Sequence, residues 1–422
     1  MFDSRIPSAN GVKRKLAMKI PEALAPFRSR NYRLFYSGHA FSLTGSWMTQ
    51  TAIGWLVYTL TQSTTMSGIA MFLGQVSHLF VTPIAGVMID RFNRRAILLA
   101  VQFGALAVAL GLTAFQILDG KHVLLLFALC FFRGLVGAVE IPTRQSLIAK
   151  FIDDRAHLPQ AIGLNSTLFN FTRIFAPALA GEIYALAGAA ACFAVDAVLM
   201  VPTIFLLAAM RFDARPVPPS CDCGALCSLL EGVRYMLSVP VLRAVICSIA
   251  LLSTFGFSYT VLLPMFADKI YAGTPELYGS MLTVTGAGAI VAALLIAFLK
   301  RARLLPVFLI IGNLIVGGSL AVIACVPHLA LFFVMLFTAG FGSVLVGASS
   351  NTLVQLNIDE RFRGRVISLY TMAFTGTFPF GTLLLGYFNE IVGLKPCLGV
   401  SAAVCLSLAT FFFLRRKIFR SE

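Results

Sequence analysis

Six charged side chains fall inside otherwise apolar runs: Arg133, Glu140 and Arg144 between positions 122 and 149, Arg173 and Glu182 between 160 and 187, and Asp196 just beyond. A charge at the centre of a lipid-crossing helix costs about 2.5 to 3.5 kcal/mol, so such groups must face a cavity or each other. A carboxyl group there can carry a proton, and a guanidinium can hold an anionic group or keep a nearby acid ionised. Glu140 and Arg144 are four residues apart, which puts them on one helix face where they can pair. Counting residues inward from the ends of the runs places Arg133 and Arg173 near mid-depth, and Glu182 and Asp196 together in one outer half. Mutual ion pairing is one account of the set. Handling of substrate or protons fits better, because a single pair would suffice for packing and here there are several levels.

The elements that must position these groups are long apolar helices. The 422 residues are 58% hydrophobic and only 12% charged, far from the roughly 25% charged of a soluble domain. A helix crossing a hydrocarbon core of roughly 30 Å needs about twenty residues at 1.5 Å each. Runs of that length occur at 34–60, 67–89, 96–118, 122–149, 160–187, 189–210, 243–267, 277–299, 306–326, 329–356, 364–390 and 396–414. The expected fold is therefore an all-α membrane protein with twelve transmembrane helices. The proline-bearing, mixed stretch 211–242 is too broken to span and links a first unit at 34–210 to a second at 243–414, with tails at 1–33 and 415–422. Within the link, Leu229, Val233, Met236 and Leu237 recur at the spacing of an amphipathic surface helix.

The 33 Lys+Arg against 18 Asp+Glu give a net charge of +15. All but five of the basic residues fall in the tails, the central link and alternate loops, so the positive-inside rule makes both tails cytoplasmic. Topology thus accounts for the charge, and nucleic acid is not an expected partner. The basic tail is broken by Lys13, Arg14, Lys15 and Lys19 before any apolar core of a cleavable signal forms, which makes the first span its own insertion signal. Cys221, Cys223 and Cys227 cluster in the link without a histidine or fourth cysteine to complete a tetrahedral metal set, and reduced thiols suit a cytosolic loop. No cofactor is expected, and no phosphate loop, metal motif or nucleophile elbow suggests an enzyme. Ser42, Thr44, Ser46, Thr49, Gln50 and Thr51 give the first span a polar surface, while Glu390 and Asp268 read as interfacial residues. Hydroxyls such as Ser253, Thr254, Ser258, Thr283 and Thr285 read as lining the second half. His39 and His78 read as ordinary buried or interfacial histidines rather than proton carriers.

An internal repeat joins the halves. Ile152-Asp153-Asp154-Arg155 after the fourth span returns as Ile358-Asp359-Glu360-Arg361 after the tenth, and Gly181 and Gly188 match Gly386 and Gly393 at an offset of 205. Spans running in the same direction at half-chain offset are what two parallel, pseudo-symmetric six-helix bundles would give, with the substrate between them near the midplane.

Between the second and third spans lies GVMIDRFNRR. Gly86, Asp90, Arg91, Arg94 and Arg95 there resemble the loop signature of the major facilitator superfamily, and Arg133 with Gly137 resembles its fourth-span signature. Met88, Asn93 and Val136 depart from the usual residues. Pro177 and Gly181 remain of the fifth-span antiporter signature, whose other glycines are replaced by Thr172, Ala176 and Ala180. The runs EIPTRQSLIAKF, GLNSTLFNFTRIFAPALAG, NYRLFYSG, WLVYTLTQS and RGRVISLY resemble the branch holding bacterial siderophore exporters and drug and macrolide efflux pumps. The resemblance implies the major facilitator fold in a bacterial inner membrane, as a monomer, with proton-coupled export of a small amphiphilic molecule by alternating access. Within it, Asp196 and Glu182 would carry the proton, Glu140 would relay it inward, and Arg133 and Arg173 would hold an acid or an anionic part of the substrate. Gly86, Asp90, Arg91, Arg94, Arg95 and Arg144 would form a conformational gate, and Pro177 with Gly181 an antiport-type helix bend. An importer or lipid-linked flippase of the same fold, or a transport-inactive scaffold or sensor, are the alternatives.

Overall fold

The computed structural model describes residues 22–118, 120–211, 225–298, 302–325, 328–359 and 362–419. These residues are helical throughout, without a strand. The helices are α1 (Arg30–Thr61), α2 (Thr64–Arg91), α3 (Arg94–Leu118), α4 (Val123–Leu147), α5 (Leu158–Ala208), α6 (Ala225–Ser238) and α7 (Pro240–Leu251). They continue with α8 (Leu263–Met265), α9 (Pro275–Phe298), α10 (Leu305–Cys325), α11 (Leu329–Leu356), α12 (Arg363–Thr371), α13 (Phe378–Val392) and α14 (Leu394–Leu414). Eight segments among the described residues are long and apolar enough to cross a membrane. One of them, α5, holds two of the expected passes.

That helix runs unbroken in hydrogen bonding but turns at Gly188, whose φ of 78° and ψ of 180° only glycine adopts without strain. Gly393, between α13 and α14, has φ 82° and ψ 171°. The two glycines matched in sequence thus share one unusual backbone conformation. The Sγ of Cys192 donates to the Ala180 carbonyl and that of Cys397 to the Leu385 carbonyl, each at 3.5 Å, so the repeat extends to side chains one turn beyond the break.

The expected seventh span departs from a regular helix. After α7 the chain passes through a π-helical turn (Leu252–Phe257), a 3-10 turn (Ser258–Leu262), α8 and a second π turn (Phe266–Ile270). A further π turn (Met372–Gly376) separates α12 from α13. The irregular stretches satisfy each other: Ser253 Oγ donates to the Phe374 carbonyl (2.5 Å), Ser258 Oγ to the Phe378 carbonyl (3.3 Å), and Thr377 Oγ1 to the Ala250 carbonyl (3.1 Å). Non-helical backbone at membrane depth needs such partners, since lipid offers none. Ser253 and Ser258, read from sequence as lining residues, are buried and committed to carbonyls instead.

Helix packing brings α5 against α1, α3 and α9, and α13 against α2. The contacts of α5 with α9 and of α13 with α2 repeat each other. A Cβ on Gly181 would lie 2.8 Å from the Pro275 carbonyl oxygen, and one on Gly386 would collide with that of Thr64. Across the same seams, a Cβ on Gly279 would meet the Pro177 carbonyl at 2.5 Å and one on Gly68 the Thr382 carbonyl at 2.7 Å. Four glycines thus let the backbones touch, at the end of the molecule that carries Gln62 and Gly393.

Hydrogen bonds fasten that end. Thr64 Oγ1 donates to the Gly386 carbonyl at 2.8 Å and Asn389 Nδ2 to Thr64 Oγ1 at 3.1 Å, while nearer mid-helix Thr283 Oγ1 donates to the Ile174 carbonyl at 2.8 Å. The carboxylate of Glu390 accepts from Ser63 Oγ (2.6 Å), Thr65 Oγ1 (2.6 Å) and the Thr65 backbone N–H (3.0 Å). The residue read as interfacial is therefore a cap for α2, which has no acid in its own first turn. At the opposite end, Asn31 and Arg211 bond reciprocally at 2.7 and 3.0 Å.

Candidate functional site

The polar face of α1 meets the buried charges of α4 and α5. Gly45 opens the space: a Cβ there would collide with the carboxylate of Asp196, which is 5% exposed. Thr49 Oγ1 donates to Asp196 Oδ2 at 2.7 Å, and Oδ1 has no hydrogen-bond partner. Arg133 from α4 lies near enough to attract this carboxylate, while its Nη2 donates to the backbone carbonyl (2.6 Å) and hydroxyl (2.8 Å) of Ser46. One acid and one cation therefore converge on two hydroxyls of α1 at mid-helix.

A second polar group lies nearer the end that carries Arg30 and Arg211. Arg144 pairs with Glu140 one turn earlier, as their spacing requires, and also meets the ring of His39 on α1. Gln102 Nε2 from α3 donates to Glu140 Oε1 at 2.9 Å. His39 is 6% exposed, and its ring stacks on Phe35 at 5.5 Å between centroids. Glu140 and Arg144 belong to this cluster and Arg133 and Asp196 to the other, so the charges read together from sequence form two sites at different depths.

Glu182 stands apart from Asp196, contrary to the expectation that they lie together. The two share a level, since their chain neighbours Ile183 and Val195 both pack against one cluster around Met48 of α1. But Glu182 is exposed beside Phe175 and Leu179 on an outer groove of about 380 Å³ that Thr44 also lines, whereas Asp196 faces inward against Gly45. Residue counting gave depth and could not give rotation about the helix axis.

Arg173 also lies on α5, on a different face again. Its Nε and Nη2 are buried without a hydrogen-bond partner. Pro177 and Gly181 keep helical dihedrals, the non-helical residue of α5 being Gly188, and both lie in the close seam with α9.

The expected gate loop falls in the last turns of α2 and the first of α3; the side chains of Gly86 and Asp90 lie outside the described residues. Arg91 is exposed, Arg94 Nε donates to the Ile89 carbonyl at 3.1 Å, and Arg95 donates to the Ala208 carbonyl at the end of α5. These bonds of Arg94 and Arg95 stay within residues 34–210, where a cation suits a helix C-terminus. Among the described residues no group of His, Cys, Asp and Glu could hold a metal ion. Cys221 and Cys223, and the side chain of Cys227, lie outside them.

Sequence reasoning passed over Gly45 and Gln102. A glutamine deeper in the apolar run 96–118 than Gln116 at its far end was the available signal for the second. Nothing in the sequence marked the first, because a glycine's role at a helix crossing depends on what packs over it.

An all-helical membrane protein with buried charges meeting on its first helix is of the polytopic transporter class, and solved structures agree on the fold. A crystal structure of peptide transporter POT in complex with sulfate superposes with a TM-score of 0.75 at 13% identity, covering 92% of this chain and 95% of that one. The family model MFS_3, described as transmembrane secretion effector, matches residues 21–422, and the chain belongs to that family. Relatives include the staphyloferrin A transporter of Staphylococcus aureus, 26% identical over 92% of this chain and 96% of that protein. The multidrug efflux pump Tap of Mycolicibacterium fortuitum is 24% identical over 83% and 87%, and macrolide efflux protein A of Streptococcus pyogenes 21% over 89% and 93%. The chain is a multi-pass transporter of the major facilitator type with efflux proteins among its relatives.

Proposed function

We propose that this protein exports a small amphiphilic molecule, siderophore or drug-like, from the cytoplasm in exchange for protons. Two six-helix bundles, 34–210 and 243–414, would rock about a central site, with both termini cytoplasmic. The observation that carries the reading is Asp196: a buried carboxyl with one oxygen held by Thr49, the other without a hydrogen-bond partner, and Arg133 beside it. A carboxyl so placed can take a proton when its surroundings open to the outside and lose it when Arg133 closes on it. Thr49 fixes the orientation in which the exchange occurs. Glu140, held by Arg144 and Gln102 nearer the termini, is the inward step of the same path. The efflux relatives support export over import.

Proteoliposomes carrying the purified chain, with a pH gradient imposed and a panel of iron chelators and dyes as cargo, test this. Gradient-driven flux should be present in the wild type and absent in Asp196→Asn. Flux that ignores the gradient, or survives that substitution, would remove Asp196 as the coupling group.

A further inference from the structure

Arg133 and Arg173 both lie in mid-helix, yet they are held differently. Arg133 is committed to Ser46 and lies near the charge of Asp196. Arg173 has two buried nitrogens with no acceptor. The contacts of α5 locate it. Leu168, Thr172, Ala176 and Ala180 are buried along one side, of which Ala176 and Ala180 pack on Met48 of α1; Ile174, Pro177 and Gly181 meet α9. At 100° per residue Arg173 points between these two faces, away from the exposed stripe of Phe171, Phe175, Leu179 and Glu182.

The backbone there is also left open. Pro177 has no N–H to give to the Arg173 carbonyl one turn back, and Gly286 of α9 lies over that carbonyl with room for a Cβ only 3.5 Å from it. The Thr283 hydroxyl is spent on the next carbonyl, that of Ile174. The acid on α9, Glu276, sits against Gly181, two turns along α5 from Arg173, and is not its partner. A cation of this kind costs several kcal/mol in a span unless an anion meets it.

We infer that Arg173 is an anion-binding group on the transport path and that the cargo carries a carboxylate or a group of like charge and size, held at the seam between α5 and α9. The inference rests on the transporter reading. Parting of α5 from α9 uncovers the guanidinium, whose planar fork suits a carboxylate; the cargo anion then supplies the missing partner, and reclosure excludes neutral molecules of the same shape.

The test uses the full chain, purified in phospholipid-free detergent, and three dyes that share one ring system: dansylglycine (anionic), dansylglycinamide (neutral) and dansylcadaverine (cationic). Fluorescence anisotropy should show dansylglycine bound about tenfold more tightly than its amide. Arg173→Gln should bring that ratio to about one, and Arg173→Lys, which keeps charge but loses the fork, should leave a reduced preference. If the glutamine variant does not fold, the wild-type ratio and the lysine variant decide alone. Equal binding of the three dyes by the wild type, or undiminished preference in either variant, overturns the inference. Displacement of dansylglycine by phosphatidylglycerol micelles would place a lipid headgroup at Arg173 and overturn it as well. Absence of anion preference in the wild type with gradient-driven flux intact would sink this inference alone, whereas anion binding without flux would sink the transporter reading.

Discussion

Removing the carboxylate of Glu390 should release the end of the molecule that carries Gln62 and Gly393. In the closed arrangement it accepts two hydroxyl bonds at 2.6 Å and one backbone N–H bond at 3.0 Å from the start of α2. Ser63 remains the N-cap of α2, so what is lost is a second capping acceptor, about 0.5 to 1 kcal/mol, and an anion at a helix N-terminus, about 0.3 to 1 kcal/mol at an exposed site. Because the group is exposed, the charged bonds are screened and the total stays near 1 to 2 kcal/mol. When the halves part at this end the three bonds must break, so the whole amount is taken from the closed state. Glu390→Ala should therefore raise the open-to-closed ratio about 5- to 30-fold. Glu390→Gln, which keeps one acceptor oxygen and loses the charge, should fall between. Spin labels at Gln62 and Lys395 in a cysteine-free background would report the change as added weight at long distances in a pulsed dipolar measurement. A distance distribution that is the same in all three proteins would refute the role of Glu390 as a fastening.

The seam glycines should behave alike although they lie in different halves. Gly181→Ala and Gly386→Ala each place a methyl against a carbonyl oxygen of the facing helix, so each should open the same end and add distance between the same labels; an effect in one and not the other would break the equivalence of the two seams. The cluster nearer the termini should matter for stability first. Arg144→Ala leaves the partly buried Glu140 with Gln102 but without its ion-pair partner, a loss of up to about 3 kcal/mol, and should lower the thermal unfolding midpoint in detergent, whereas Glu140→Gln with Arg144→Met together should recover part of it. A double variant no more stable than Arg144→Ala would show that the pair is not what the single change breaks.

Much of the fold was legible because membrane length, charge sidedness and a half-chain repeat are all one-dimensional signals. The break at Gly188 and the pairing of Glu140 with Arg144 follow from residue type and spacing alone. What failed was rotation and irregularity. Glu182 and Asp196 were assigned one depth, and they share it, but α5 is broken at Gly188 and its two arms present different faces. The π turns around Leu252–Phe257 and Met372–Gly376 left no periodic trace, since an inserted residue inside a uniformly apolar run changes no pattern. The capping role of Glu390 was not legible for a related reason: its partners are more than 320 residues away in sequence.

The repeat duplicates the scaffold and not the chemistry. Gly181, Gly188 and Cys192 have counterparts in Gly386, Gly393 and Cys397, with matching backbone and contacts. At the same offset Arg173 corresponds to Phe378, Glu182 to Tyr387 and Asp196 to Ser401; at the offset of the Ile-Asp motif Arg133 corresponds to Ala339, Glu140 to Val346 and Arg144 to Ser350. Every charge of the candidate sites lies in one half, and each counterpart is uncharged. In the proposed mechanism the second half would be the surface against which the first opens and closes, and a carboxyl placed there would lack a guanidinium to expel its proton. Asp196→Asn combined with Ser401→Asp therefore should not recover gradient-driven flux. Adding Ala339→Arg, which restores a cation at the position equivalent to Arg133, should recover some if the Arg133–Asp196 pair is sufficient for coupling. Recovery by Ser401→Asp alone would show that the acid needs no cation beside it, and would remove Arg133 from the coupling mechanism.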